Sequence, residues 1–205
     1  MVYVVILFRV GKTVAVVGIL AIIFSFIAIV VWEAVIGESI PLFSLTAKLC
    51  LLLGVSLWVA GSYLMARYGG ARELFEYALW VVGGCYVANI LFSLLTIVLV
   101  MLGSEYYDTN IAILAITSYV ALWITLMFVA KFYGGYAAIL EKRFNSKTAK
   151  KSSKLMWRGS LLALVGIGIL LMFFAWLLAA IAIIEAREPL TRPLRPKIEE
   201  VGEEA

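Results

Sequence analysis

The chain has 205 residues, of which 64 % are hydrophobic and 15 % charged, with 17 basic side chains against 13 acidic ones and no histidine. That balance excludes a soluble globular domain and describes an integral membrane protein. Without histidine, imidazole acid–base chemistry, bis-imidazole haem ligation and histidine-based metal sites are excluded within the chain, and no cofactor is expected.

Charge-poor apolar runs occur at 13–32, 49–66, 77–102, 111–130 and 159–184. A helix needs about 20 residues to cross roughly 30 Å of hydrocarbon, so the expectation is an all-α bundle of five transmembrane helices forming one domain over 1–186. The first run lacks a small-x-small cleavage site and is read as a retained span. Gly11-Lys12-Thr13 has the last letters of a phosphate-binding loop, but Ile6 stands where its first glycine belongs and no strand precedes it.

Between the spans the basic residues fall to one side. With the N-terminus inside, twelve lie on the interior side, among them Arg9, Lys12, Arg67, Arg72, Lys131 and Arg158, whereas the exterior side before the tail holds Lys48 alone. This predicts a multi-pass cell-membrane protein, N-in and C-out. The stretch from Lys142 to Arg158 reads as a cytoplasmic basic loop. There Lys142, Arg143, Lys147, Lys150, Lys151 and Lys154 are candidate contacts for anionic lipid headgroups. Nucleic acid is not expected as a partner, since no reading helix or aromatic platform accompanies these charges. The tail, 187–205, contains Pro189, Pro193 and Pro196 and ends in glutamates, a composition that predicts disorder.

An internal repeat relates the second and fourth spans. Leu57-Trp58 followed by Tyr68-Gly69-Gly70 recurs as Leu122-Trp123 followed by Tyr133-Gly134-Gly135, at an offset of 65. The two Gly-Gly pairs, Gly69 with Gly70 and Gly134 with Gly135, are expected to be hairpin elbows, and the two spans to run in the same direction. Tyr63, Arg67, Tyr68, Lys131, Phe132 and Tyr133 are expected to anchor at headgroup level.

Lipid supplies no hydrophobic drive between helices, so small and weakly polar faces mark contacts. Gly18, Ala21, Ser25 and Ala28 form one such face, Ser118, Ala121 and Thr125 another, and Gly159, Ala163 and Gly166 a third. In the third span Cys85, Asn89, Ser93 and Thr96 share a stripe, read as an intramembrane polar contact or as the wall of a pore. Cys50 and Cys85 are expected to be buried small hydrophobes.

The segment Phe144-Asn145 to Ala182, with Trp157-Arg158-Gly159 and Phe174-Ala175-Trp176-Leu177-Leu178-Ala179-Ala180-Ile181-Ala182, resembles a small, mostly archaeal membrane family known as domain of unknown function family 996. Ala60 to Ala78 is similar as well. The resemblance implies a small helical membrane protein and assigns no functional residue. Two functions follow from the residues themselves. One is a non-enzymatic bundle acting through helix contacts, as an accessory or scaffold subunit, a homo-oligomer or part of a larger membrane complex. The other is a small channel or uniporter whose path passes Asn89.

Overall fold

The computed structural model describes residues 2–36, 41–102, 109–163 and 167–187, with only the backbone described at 2, 26, 29–36, 41–48, 100 and 102. The tail from 188 onward, Gly166 and the side chain of Lys48 lie outside the described residues.

Six helices make up the described chain: α1 (Val2–Ile36), α2 (Pro41–Gly69), α3 (Arg72–Leu102), α4 (Thr109–Phe144), α5 (Lys147–Leu162) and α6 (Ile167–Glu185). Five of them, all but α5, are long and apolar enough to cross a membrane. In hydrocarbon a backbone satisfies its polar groups only within helices or closed barrels, which is why these runs are helical throughout.

Each helix packs against its neighbours in sequence, and α6 closes onto α1, so the six form a ring. The α1–α2 pair is drawn together by glycines seven residues apart on both helices. A Cβ at Gly11 would lie 3.0 Å from the Gly61 carbonyl oxygen, and one at Gly54 would lie 2.8 Å from that of Gly18. Backbones approach this closely only where side chains are absent, and the gain is dispersion contact along the whole seam. Ala15 and Ile19 fill the same seam and are buried. On α3 the buried positions Leu74, Val81, Ala88 and Leu95 recur every seven residues, and α3 meets α4 where Tyr77 packs on Gly135 and Gly84 on Val129.

α2 ends in a Schellman turn. Gly70 adopts φ +67°, and the Ala71 N–H reaches back to the Ala66 carbonyl at 2.9 Å. The second half of the expected repeat behaves differently. Gly134 and Gly135 lie inside α4, which continues to Phe144, so they are not an elbow. Gly135 instead takes the Tyr77 ring against its bare Cα, a Cβ there falling 2.5 Å from Cζ of that ring. The turn comes at Asn145, φ 54°, beyond which the Ser146 N–H donates to the Leu140 carbonyl at 3.0 Å. α2 and α4 do run in the same direction, since Gly69 meets the Phe144 ring and Ser62 meets Tyr136.

The largest departure from the sequence reading is α5. The basic stretch is a helix, not a loop, and the expected span 159–184 is divided between α5 and α6. Ala149, Ser152, Met156, Gly159 and Ser160 face inward while the lysines and Arg158 face out, the pattern of an amphipathic helix. α5 and α6 are antiparallel. Gly159 packs against Gly168 and Met172 near the start of α6, and Thr148 meets Glu185 at its end. The residues after α6 return to the end of the bundle where α1 begins. The Arg187 N–H donates to the Phe144 carbonyl at 2.7 Å, and Lys12 Nζ donates to the Ile184 carbonyl at 2.8 Å and the Ala186 carbonyl at 2.5 Å.

Candidate functional site

The interior of the ring is aromatic and hydroxylic. Trp58 of α2 lies edge-on to Tyr136 of α4 at 5.5 Å between centroids and to Trp176 of α6 at 5.2 Å, and Tyr133 lies 5.7 Å from Trp176. These rings fill the space where α2, α4 and α6 face one another, with Trp58, Tyr133 and Tyr136 almost wholly buried. Their hydroxyls find partners on neighbouring helices. Tyr136 pairs with the Ser62 hydroxyl at 3.1 Å, Tyr133 pairs with the Ser152 hydroxyl, and Ser152 donates to the Ala175 carbonyl at 2.8 Å. A buried hydroxyl left unpaired costs about 1–3 kcal/mol, so α2–α4 and α4–α5–α6 are each held at a fixed register. The Trp58 indole N–H is buried with no hydrogen-bond partner among the described residues, and the Trp123 indole donates to the Ser160 carbonyl at 3.1 Å.

The sequence placed Tyr133 at the headgroups; it is instead a core residue. Of the other expected anchors, Tyr63, Arg67 and Lys131 are exposed. Arg67 donates to the Tyr63 hydroxyl at 3.1 Å, and Phe132 stacks on Trp80 at 5.3 Å. Neither cysteine is buried in the protein: Cys50 and Cys85 are both free and exposed.

Cys85, Asn89, Ser93 and Thr96 do share a face of α3, but that face is exposed and lines no interior path through the described bundle. Ser93 donates to the Asn89 carbonyl at 3.0 Å and Thr96 to the Phe92 carbonyl at 2.9 Å, so both hydroxyls are satisfied within their own helix. The Asn89 side chain makes no hydrogen bond to the described residues. Around it Tyr86, Ile90, Phe92 and Ile97 are also exposed, which makes this stretch of α3 an apolar surface with one amide in it.

At the other end of the bundle, Lys147, Lys150, Lys151 and Lys154 form the outward face of α5, with Lys142 and Arg143 exposed at the end of α4. Lys150 approaches Glu141 at 3.7 Å, and Arg143 reaches the Gly70 carbonyl at 3.4 Å. The start of α5 is capped from outside its own segment. Glu185 accepts from the Thr148 N–H at 2.9 Å, from its hydroxyl at 2.6 Å, and from the Ser146 hydroxyl at 3.3 Å. A carboxylate over exposed N-terminal amides satisfies them and complements the helix dipole. Nothing in the local sequence signals this cap, because its partner comes from the far end of α6.

Among the described residues no group of three or more Cys, Asp or Glu side chains is placed to hold a metal ion. The arrangement is that of a small polytopic membrane bundle with a plugged interior, an outward polar stripe on α3 and a cationic end. No family model, curated protein or solved structure matches the chain significantly.

Proposed function

We propose that this multi-pass membrane protein is non-enzymatic and works through helix–helix contacts, with the Asn89 face of α3 as its docking surface for a second copy or an accessory partner. The observation that carries this reading is the Asn89 amide. It sits in a 31-residue apolar helix, exposed, with no partner among the described residues. Hydrocarbon offers an amide nothing, and in membrane helices such groups gain about 0.6–2 kcal/mol by bonding across an interface. An amide both donates and accepts, so two copies of the same face satisfy one another across a two-fold axis.

Single cysteines at Asn89 and Ser93 in a background lacking Cys50 and Cys85 test the surface. Rapid disulfide or bis-maleimide cross-linking in native membranes supports it, with a dimer or a defined heteromeric product expected. A chain that remains monomeric by native mass spectrometry in mild detergents and nanodiscs, with no cross-linked product, refutes it. The second reading, a small channel or uniporter, draws on the closed ring of six helices. Trp58, Tyr133, Tyr136 and Trp176 fill that ring, so we place it second. A selective flux in proteoliposomes that changes when Tyr136→Phe or Trp176→Leu alters the ring interior in a folded protein would reverse the order. Membership of the family resembled by residues 144–182 is likewise a proposal, and it assigns no activity.

A further inference from the structure

Between α1, the end of α6 and the α4–α5 turn lies an open cleft of about 1020 Å³, of a size with ordinary ligand sites. Four cationic side chains from three separate parts of the chain line it: Arg9 and Lys12 of α1, Arg143 at the end of α4, and Arg187 just past α6. Glu185, the carboxylate in the same lining, is engaged by Thr148 and Ser146 at the start of α5. Lys12 is turned toward the last carbonyls of α6, which fixes its ammonium at the cleft. Four cations against the single carboxylate of Glu185 give the lining a net positive charge that attracts an anion, and arginine forks suit the oxygens of a phosphate.

The floor of the cleft is not polar. Val16, Val17 and Ile184 run along the α1–α6 seam, and Val17 and Ile184 are 48 % and 60 % exposed. A site with cations at one end and an outward-facing apolar track along two membrane-spanning helices matches an amphiphile, not a free anion. We propose that this cleft binds an anionic phospholipid, its phosphate held by Arg9, Lys12, Arg143 and Arg187 and an acyl chain lying along Val17 and Ile184. The site is separate from the outward lysines of α5 and shares only Arg143 with the basic residues that the sequence marks for headgroup contact.

The test uses the full chain in mild detergent. Phosphatidylglycerol, phosphatidylcholine and inorganic phosphate are titrated separately while thermal unfolding and native mass spectra are recorded. Saturable stabilisation by phosphatidylglycerol with one retained lipid per chain is expected, with little effect of phosphatidylcholine. Arg9→Gln with Arg187→Gln should weaken that binding roughly thirtyfold, the effect of losing two surface cations. Lys150→Gln with Lys151→Gln and Lys154→Gln, which removes more charge from the α5 face, should change it less than threefold. Val17→Trp, at an exposed position, should also weaken lipid binding and decides the matter if the arginine variant does not fold. Equal loss in the arginine and lysine variants means unspecific charge attraction and overturns the proposal. So does stabilisation by inorganic phosphate equal to that by phosphatidylglycerol, or indifference to lipid charge.

Discussion

Alanine at Gly61 and alanine at Gly83 are the same substitution in two membrane helices, yet they should move stability in opposite directions. At Gly83 no atom lies within 4 Å of the position a Cβ would take, so the change adds a methyl group to open surface. Helix preference favours alanine over glycine by up to about 1 kcal/mol, and less where the unfolded reference in detergent is already helical. At Gly61 the Cβ would fall 2.5 Å from the Gly11 carbonyl oxygen and 2.7 Å from the Ala15 Cα. Both are backbone atoms and cannot rotate away. α1 must move off α2 by several tenths of an ångström, which forfeits contact along the whole seam, because a gap of 0.5–1 Å already loses about a quarter to a half of each dispersion well. Overpacking costs about 1–3 kcal/mol, and the helix-preference gain offsets at most a third to a half of a mid-range value. For a chain of this size each kcal/mol shifts Tm by about 2–4 °C. Thermal unfolding of both variants in one detergent, followed by tryptophan fluorescence, should place Gly61→Ala several degrees below wild type and Gly83→Ala at or slightly above it. A Gly61→Ala protein as stable as Gly83→Ala would refute the close α1–α2 approach.

Tyr136→Phe strands the buried Ser62 hydroxyl and should cost about 1–2 kcal/mol; adding Ser62→Ala should recover part of it, giving a double-mutant coupling near 1 kcal/mol by denaturation in mixed micelles. Glu185→Ala removes the cap at the start of α5 and should cost about 1 kcal/mol locally, seen as roughly fivefold faster hydrogen exchange of the amides at the start of α5, while the interior of α4 is unchanged. Gly70→Ala should destabilise by about 1–2 kcal/mol although nothing lies near its Cβ, because the cost is the left-handed backbone; Gly70→Asn should recover much of it in the same unfolding assay.

The membrane helices are legible in the sequence because lipid forbids irregular backbone, so a long apolar run has one available structure. α5 is hidden by the same logic applied too strictly. Its five basic residues argue against hydrocarbon, yet Ala149, Ser152, Met156 and Gly159 recur at helical spacing and were the signal of an inward face. The elbow reading failed at Gly134 and Gly135 because a glycine permits a turn without requiring one. Gly135 is spent on the Tyr77 ring, and the turning residue is Asn145. The α1–α2 seam was half visible. Gly18 was singled out, but the matching interval of seven in Gly11 to Gly18 and Gly54 to Gly61 carries the stronger signal. Cys85, Asn89, Ser93 and Thr96 fall on one face of α3 by helical spacing alone; which way that face points depends on which positions α3 buries, here Leu74, Val81 and Leu95, and a single helix does not reveal that.

The account rests on a ring of six helices whose first and last members lie side by side, bringing the residue after α6 to the end of the bundle where α1 begins. Cysteine accessibility in sided membrane vesicles measures this directly. In a background lacking Cys50 and Cys85, single cysteines at Arg72, Lys151 and Arg187 should label from one and the same side, and one at Thr109 from the other. Labelling of Arg187 together with Thr109, opposite Arg72, would contradict the ring.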